Sequence, residues 1–126
     1  MRTATAELIV IMGLTDDPQR FAYKAGEKLQ RHGFQHLIGI HPKGGTVLGI
    51  PVVRDIHAIQ QSIHTLTLYI GPSKSAVLSS DILKAHPQRI IFNPGTENEA
   101  LAAEASRLGI EVIEGCTLVM LSQDAF

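Results

Sequence analysis

The 126-residue chain lacks the features that mark several large classes of protein. Its single cysteine, Cys116, excludes an internal disulfide and any Cys-x-x-Cys pair, which favours a reducing, cytoplasmic setting. No apolar run approaches the about 18 residues that cross a bilayer, and the N-terminus lacks the order of a secretory signal. The net charge of -1 excludes gross electrostatic attraction to nucleic acid or anionic membrane as the main activity. We therefore expect a soluble protein that binds neither.

Two nucleotide and hydrolase signatures are also missing. The segment after the first apolar run has no G-x-G-x-x-G pattern, and no Asp or Glu lies between Lys28 and Arg54 to bind a ribose diol. Both absences weigh against NAD(H). The stretch without carboxylates would, however, favour a nucleotide with an additional phosphate, because carboxylates repel phosphate. No G-x-S-x-G nucleophile elbow is present, and Gly33 breaks any helix that could align His32 with His36 on a metal. We predict neither catalytic residues nor a metal site.

The composition that remains is typical of a globular domain. Hydrophobic residues make up 44% of the chain and charged residues 18%, which is enough apolar material for a core. A compact chain of this length buries roughly two-thirds of its unfolded surface. We predict a single domain over residues 1–126.

Apolar segments alternate with helical patterns along the whole chain. Five β-branched runs predict the strands of a parallel sheet, at residues 8–12, 37–40, 65–70, 89–92 and 110–113. Such alternation requires crossover connections, so the predicted fold class is α/β, a single doubly wound Rossmann-like domain with the strand order 3-2-1-4-5. Residues 51–53 are interpreted as a short extended piece before a helix capped by Asp55.

Helix starts follow most of these strands. Asp17 and Pro18 predict the start of the first helix, and Gly33 its end. Ser73 or Ser75 is predicted to cap a later helix that turns Val77 toward the core, and residues 96–99 form a capping box for the next one.

Ligands of doubly wound sheets bind beyond the carboxyl ends of the strands, where the winding direction reverses. In the predicted order the reversal lies between the first and fourth strands, so the loops 13–16 and 93–95 should meet there, flanked by loops 41–46 and 71–75. Residues 1–54 carry seven Lys and Arg against four Asp and Glu, whereas residues 55–126 carry four against eight. Electrostatic repulsion of an anionic ligand should therefore be weakest on the surface formed by the N-terminal half.

Three of these loops carry a family resemblance. Residues 13–20 resemble the first loop and helix start of the small CoA-binding domain proteins, and residues 41–52 closely resemble the second loop of the CoA-binding domain in the succinyl-CoA synthetase α subunit. Residues 93–99 and Cys116 are similar to later family positions. The chain departs from the family pattern at His41, where asparagine is usual, at Thr15, where serine is usual, and beside Cys116, where charged residues are usual.

The resemblance implies coenzyme A as the cofactor. Its pyrophosphate and ribose phosphate need backbone N–H groups at a helix start and one or two cations. Gly13 allows close backbone approach, Thr15 offers a hydroxyl, and Lys43 adds a point charge. The predicted cofactor-binding residues are Gly13, Leu14, Thr15, Arg20, Lys24, His41, Pro42, Lys43, Ile70, Gly71, Pro72, Asn93, Pro94 and Gly95.

The sequence thus predicts a protein that binds CoA or a short acyl-CoA without catalysis, alone, as a homodimer or with a partner subunit. One alternative is an NAD(P)- or nucleotide-binding enzyme or redox sensor that uses the same crevice. Another is an interaction module whose crevice is vestigial. Cys116 is interpreted as a small buried hydrophobe rather than a reactive thiol.

Overall fold

A computed structural model describes residues 2–126, which form a seven-stranded sheet with helices on both faces. The strands are β1 (Ile9–Met12), β2 (Leu37–Ile40), β3 (Gly45–Val47), β4 (Ile50–Val53), β5 (Thr65–Leu68), β6 (Arg89–Phe92) and β7 (Glu111–Glu114). The helices are α1 (Phe21–Arg31), α2 (Pro72–Ala85), α3 (Glu99–Arg107) and α4 (Thr117–Ser122), with a short 3-10 helix at Ile56–Ala58. No helix in these residues is long and apolar enough to span a bilayer.

The sheet order is β3-β4-β2-β1-β5-β6-β7, and every pair is parallel except β3 with β4. The Rossmann-like α/β class is confirmed, whereas the five-stranded sheet is wrong. Residues 45–53 form a hairpin whose second strand, β4, extends the sheet beside β2. The piece predicted at residues 51–53 is therefore a true strand of the sheet.

The predicted order 3-2-1-4-5 is also wrong, because the third predicted strand, β5, pairs with β1 and not with the far side of β2. The hairpin already occupies the place beside β2, so the chain crosses back over the sheet before β5 begins. The winding direction consequently reverses between β1 and β5. The loops that meet at the reversal are those after β1 and β5, and the loop after β6 lies one strand further out.

Helices cover both faces of the sheet, and successive side chains of a strand point to opposite faces, so β1, β2, β5 and β6 are buried on both sides. Ile9 and Ile11 pack with α1 and α4, whereas Val10 and Met12 pack with the 3-10 helix, α2 and α3. All four residues of β1 are at most 2% exposed, which explains its continuous apolar run.

The predictions of helix caps are only partly confirmed. The 3-10 helix is capped by Asp55, whose carboxylate accepts the His57 N–H at 2.9 Å, but it spans only three residues. The capping box predicted at residues 96–99 is wrong, because Asn98 caps α3 while the Thr96 hydroxyl donates to the Asn93 carbonyl. Gly71 stands at the N-cap of α2 in place of Ser73 or Ser75, and Val77 is 82% exposed, so both of those predictions were wrong.

Gly39 makes room for a neighbouring core side chain, which leads to a first testable prediction. A Cβ at Gly39 would lie 2.6 Å from Leu14 Cδ2 and 3.0 Å from Leu14 Cβ, and Leu14 is only 1% exposed. We expect Gly39→Ala to lower the free energy of unfolding by about 1–3 kcal/mol through overpacking. Urea denaturation measures this change.

The matched control is Gly26→Ala within α1, where the nearest atom to the new methyl is the flexible Ile50 Cδ1 at 3.3 Å. Alanine also suits the helix better than glycine does, so this variant should stay near wild-type stability. Equal losses for both variants would show that the contact with Leu14 is not the cause.

Candidate functional site

At the reversal point, the residues around the carboxyl end of β1 are hydrogen-bonded to both neighbouring strands, β5 and β2. The Tyr69 N–H donates to the Met12 carbonyl at 2.9 Å, and the Gly13 N–H donates to the Ile40 carbonyl at 2.8 Å. Gly13 has a φ of +101°, and a Cβ on it would lie 3.0 Å from the Tyr69 carbonyl oxygen. Only glycine fits this close approach to the Tyr69 carbonyl without strain.

Two helices begin at this junction without a side-chain cap. Arg20 is the N-cap of α1 and Gly71 is the N-cap of α2, and neither helix has an acidic residue in its first turn. First-turn N–H groups of an α-helix lack intrahelical acceptors and carry partial positive charge. The edge between β1 and β5 therefore offers two sets of N–H donors suited to an anion.

The start of α3 has the opposite character. Asn98 Oδ1 accepts the Leu101 N–H at 3.1 Å, and the Glu97 carboxylate accepts the Gly95 N–H at 2.9 Å. Pro94 and Gly95 therefore lie beside an acidic, capped helix, one strand away from the reversal. The uncapped helix starts are those of α1 and α2; the Asp17 carboxylate lies just before α1 and accepts the Gln19 N–H at 3.0 Å.

In and after the first loop, Thr15 is half-buried, whereas Arg20 and Lys24 are exposed to solvent. Thr15 Oγ1 accepts the Asp17 N–H at 3.4 Å, so its own proton remains free to donate. Arg20 is 3.8 Å from the Asp17 carboxylate, and Lys24 lies 5.4 Å from the ring centroid of Phe21. Arg20 is the N-cap of α1 and Lys24 lies in its first turns, because the helix begins at Phe21 and not at Asp17 and Pro18 as predicted.

The loop after β2 is a tight turn that presents Lys43. The Gly44 N–H donates to the His41 carbonyl at 2.9 Å, and the Lys43 N–H donates to His41 Nδ1 at 3.1 Å. Pro42 and Lys43 are exposed, whereas His41 is half-buried. His41 thus holds the turn through its ring nitrogen, in the manner of an Asn side chain in an Asx turn.

The side chains of two predicted site residues, Leu14 and Asn93, pack or hydrogen-bond within the protein. Leu14 belongs to the core, so a ligand could meet only its backbone. Asn93 is 1% exposed, and its amide is fully used by the protein. Its Nδ2 donates to Thr67 Oγ1 at 2.7 Å and to the Leu68 carbonyl at 2.8 Å, while its Oδ1 accepts the Thr117 N–H at 2.9 Å. Asn93 ties β5, β6 and α4 together under the loops.

Tyr69 contributes a buried hydroxyl beside this network. The hydroxyl has no hydrogen-bond partner among residues 2–126, and burial raises the pKa of Tyr69 to about 12, opposed by the nearby hydroxyls of Thr117 and Thr67. Cys116, half-buried at the start of α4, adds to the rise in pKa. Tyr69 stays protonated at neutral pH, and its hydroxyl lies near Cys116 and Thr117 at the start of α4.

Ile70, Gly71 and Pro72 follow Tyr69 into the crevice. Ile70 is half-buried and packs against the core, whereas Gly71 and Pro72 are exposed. Sequence analysis missed two residues at this edge, Tyr69 and Arg54. The β-branched residues 50–53 after a Gly-rich loop were the signal for Arg54, because a strand there places residue 54 beside loop 41–44.

Two cavities open at the opposite, amino-terminal edge of the sheet. One of about 530 Å³ is lined by Thr5, Ala6, Gly33, Gln35 and His36. The other, of about 350 Å³, is lined by residues that include His32, which ends α1. A helix C-terminus carries partial negative charge, so this edge is poorly suited to phosphate groups. The carboxyl edge remains the better candidate for an anionic ligand.

Comparison with known structures supports the fold. An uncharacterised protein of known crystal structure is 42% identical and superposes with a TM-score of 0.88, covering 96% of this chain and 98% of that one. A dinucleotide-forming acetyl-coenzyme A synthetase from Ca. Korarchaeum cryptofilum shares 19% identity and a TM-score of 0.73 over 86% of this chain and 25% of its own. At that identity the likeness shows the fold alone.

Comparison of sequences adds one relative and the family. Translation initiation factor 6 from Aeropyrum pernix is 28% identical over 82 residues, which are 63% of this chain and 35% of that protein, so the chain spans about a third of that relative. The CoA binding domain family matches residues 7–122, nearly the whole chain. The loops at the reversal of the sheet and this match lead to one conclusion: the protein belongs to the CoA binding domain family.

Proposed function

We propose that this chain, as one domain over residues 1–126, binds CoA or a short acyl-CoA at the carboxyl edge of its sheet and performs no chemistry by itself. The observation that carries the proposal is the pair of uncapped starts of α1 and α2 at the reversal between β1 and β5. Donor N–H groups there suit the pyrophosphate of CoA, and Lys43 suits its ribose phosphate.

The residues present also fit the rest of the cofactor. Half-buried Tyr69 and Ile70 give an apolar surface beside the donors, which suits a pantetheine arm. Among residues 2–126, no cluster of three His, Cys, Asp or Glu side chains is arranged to hold a metal ion. The buried Asn93 amide and the Thr67 and Thr117 hydroxyls are already hydrogen-bonded within the protein, so they are not free to act on a substrate.

The test is a thermal-shift titration with CoA, acetyl-CoA, NAD(H), NADP(H) and ATP. A ligand at 100 times its Kd adds about 2.7 kcal/mol to the free energy of unfolding, which for this chain length is a rise in Tm of roughly 10 °C. We expect that rise with CoA and acetyl-CoA. Pantetheine, which lacks the nucleotide, should give little or no rise because it cannot reach the phosphate donors.

Two results would contradict the proposal. Stabilisation by NAD(H) but not by CoA would favour the nucleotide-dependent enzyme or redox sensor. No stabilisation by any of the five ligands would favour an interaction module with a vestigial crevice.

A further inference from the structure

Arg54 reaches the second loop because β4 pairs with β2. Ile40 and Val53 are partners in the parallel register, and the His41 N–H donates to the Val53 carbonyl at 2.9 Å. Residue 54 therefore leaves the sheet directly beside the turn at 41–44, although it lies at least ten positions away in the sequence.

The Arg54 side chain lies over the backbone of that turn. Gly44 has a φ of +62°, and a Cβ on it would lie 3.3 Å from both Cγ and Nε of Arg54. The absence of a side chain at Gly44 thus gives the arginine stem its path. Because the same turn presents Lys43, the two cationic side chains leave the protein from adjoining positions at the carboxyl edge.

Arg54 also differs from the other five arginines in its partners. Arg2, Arg20, Arg31 and Arg107 each lie within 4 Å of a carboxylate, and Arg89 is buried and donates to Thr65 and Thr3. Within residues 2–126, Arg54 is exposed and has no such ion pair. The adjacent Asp55 carboxylate accepts the His57 N–H instead.

The loop after the second strand of a doubly wound sheet faces the ribose of a bound nucleotide. Arg54 follows β4, but the pairing of Val53 with Ile40 brings it beside that loop. An acid there binds ribose hydroxyls, whereas an arginine accommodates a phosphate on the ribose. We propose that Arg54, with Lys43, forms a subsite for a ribose phosphomonoester and that Arg54 determines specificity for it. A guanidinium can bind two phosphate oxygens at once, which the Lys43 ammonium cannot match.

Two cofactors carry a phosphomonoester on a ribose: CoA has a 3′-phosphate and NADP(H) has a 2′-phosphate. Binding of the CoA phosphate rests on the proposed function, whereas binding of the NADP(H) phosphate does not. Calorimetric titration of CoA against 3′-dephospho-CoA, and of NADP(H) against NAD(H), therefore separates the two. Each pair differs only in the phosphomonoester.

The variants are Arg54→Gln and Arg54→Lys, with Arg31→Gln as the matched control at the far end of α1. We expect Arg54→Gln to weaken CoA binding by about 10- to 30-fold at 0.15 M salt while changing dephospho-CoA binding less than threefold. Arg54→Lys should lose about 3- to 10-fold, because it keeps the charge but not the two-oxygen contact. Arg31→Gln should change neither affinity.

The outcomes distinguish the proposals. Equal loss for CoA and dephospho-CoA, or no loss for CoA, would overturn the subsite. If wild-type protein binds NADP(H) but not CoA, and Arg54→Gln removes the preference for NADP(H) over NAD(H), the subsite stands and the proposed function fails. If no nucleotide of either pair binds, both fail. Melting temperatures of the variants within 2 °C of wild type would exclude unfolding as the cause.

Discussion

Asn93→Ala is expected to lower the free energy of unfolding by about 3–5 kcal/mol, the largest stability loss predicted for this chain. The substitution removes three hydrogen bonds in a region that is almost fully buried. It leaves the Thr117 N–H and the Thr67 hydroxyl with fewer partners and no access to water. Urea denaturation followed by circular dichroism measures the loss, which should lower Tm by more than 10 °C.

The chain supplies its own control, because Asn98 is the only other asparagine. Asn98→Ala removes the cap of α3 and a bond to Ser75, and it should cost about 1 kcal/mol. Asn93→Asp keeps an acceptor for the Thr117 N–H but loses both donors, so it should be as harmful as Asn93→Ala. A smaller loss for Asn93→Ala than for Asn98→Ala would contradict the role given to this network.

Lys43→Glu is expected to weaken CoA binding by roughly 100-fold or more. The substitution replaces a cation with an anion on an exposed turn at the proposed ribose phosphate subsite, so it turns attraction into repulsion. The backbone N–H that bonds to His41 Nδ1 is unaffected. The free energy of unfolding should therefore change by less than about 0.5 kcal/mol. Isothermal titration calorimetry gives the affinity, and denaturation gives the stability.

Lys84→Glu makes the same charge change in the last turn of α2, at the opposite edge of the sheet. It should leave the affinity for CoA within a factor of two of wild type, since Debye screening is strong over that distance at 0.15 M salt. Wild-type CoA binding by Lys43→Glu would show that the phosphates bind elsewhere. Loss of binding in both variants would indicate a general effect of net charge.

Local patterns were enough to predict much of the fold. The continuous apolar run of β1 and the β-branched runs of β2, β5 and β6 reflect burial on both sheet faces, so the strands are recognisable from sequence alone. β4 was only interpreted as a short extended piece, because it has four residues and contains Pro51, which cannot donate to a neighbouring strand. Because β4 was not recognised as a strand of the sheet, its place beside β2 was given to residues 65–70, which in fact pair with β1.

The same limit applied to the candidate site. Gly13, Lys43 and Gly71 were found through turn chemistry, charge and family resemblance, all of which are visible in short segments. Asn93 was predicted to bind the cofactor, but its amide is hydrogen-bonded to Thr67 and Leu68 of β5 and to Thr117 of α4. Such contacts join distant positions, so no local pattern indicates them.

The sequence by itself determined the α/β class, the CoA binding domain family, the glycine at the end of β1 and the stretch without acids from Lys28 to Arg54. Tertiary structure decided that β1 adjoins β5, that Arg54 lies over Gly44, and that the Asn93 amide is hydrogen-bonded to β5 and α4. The reason is physical: burial and backbone preference act within a few residues, whereas strand pairing depends on segments that meet only when the chain folds.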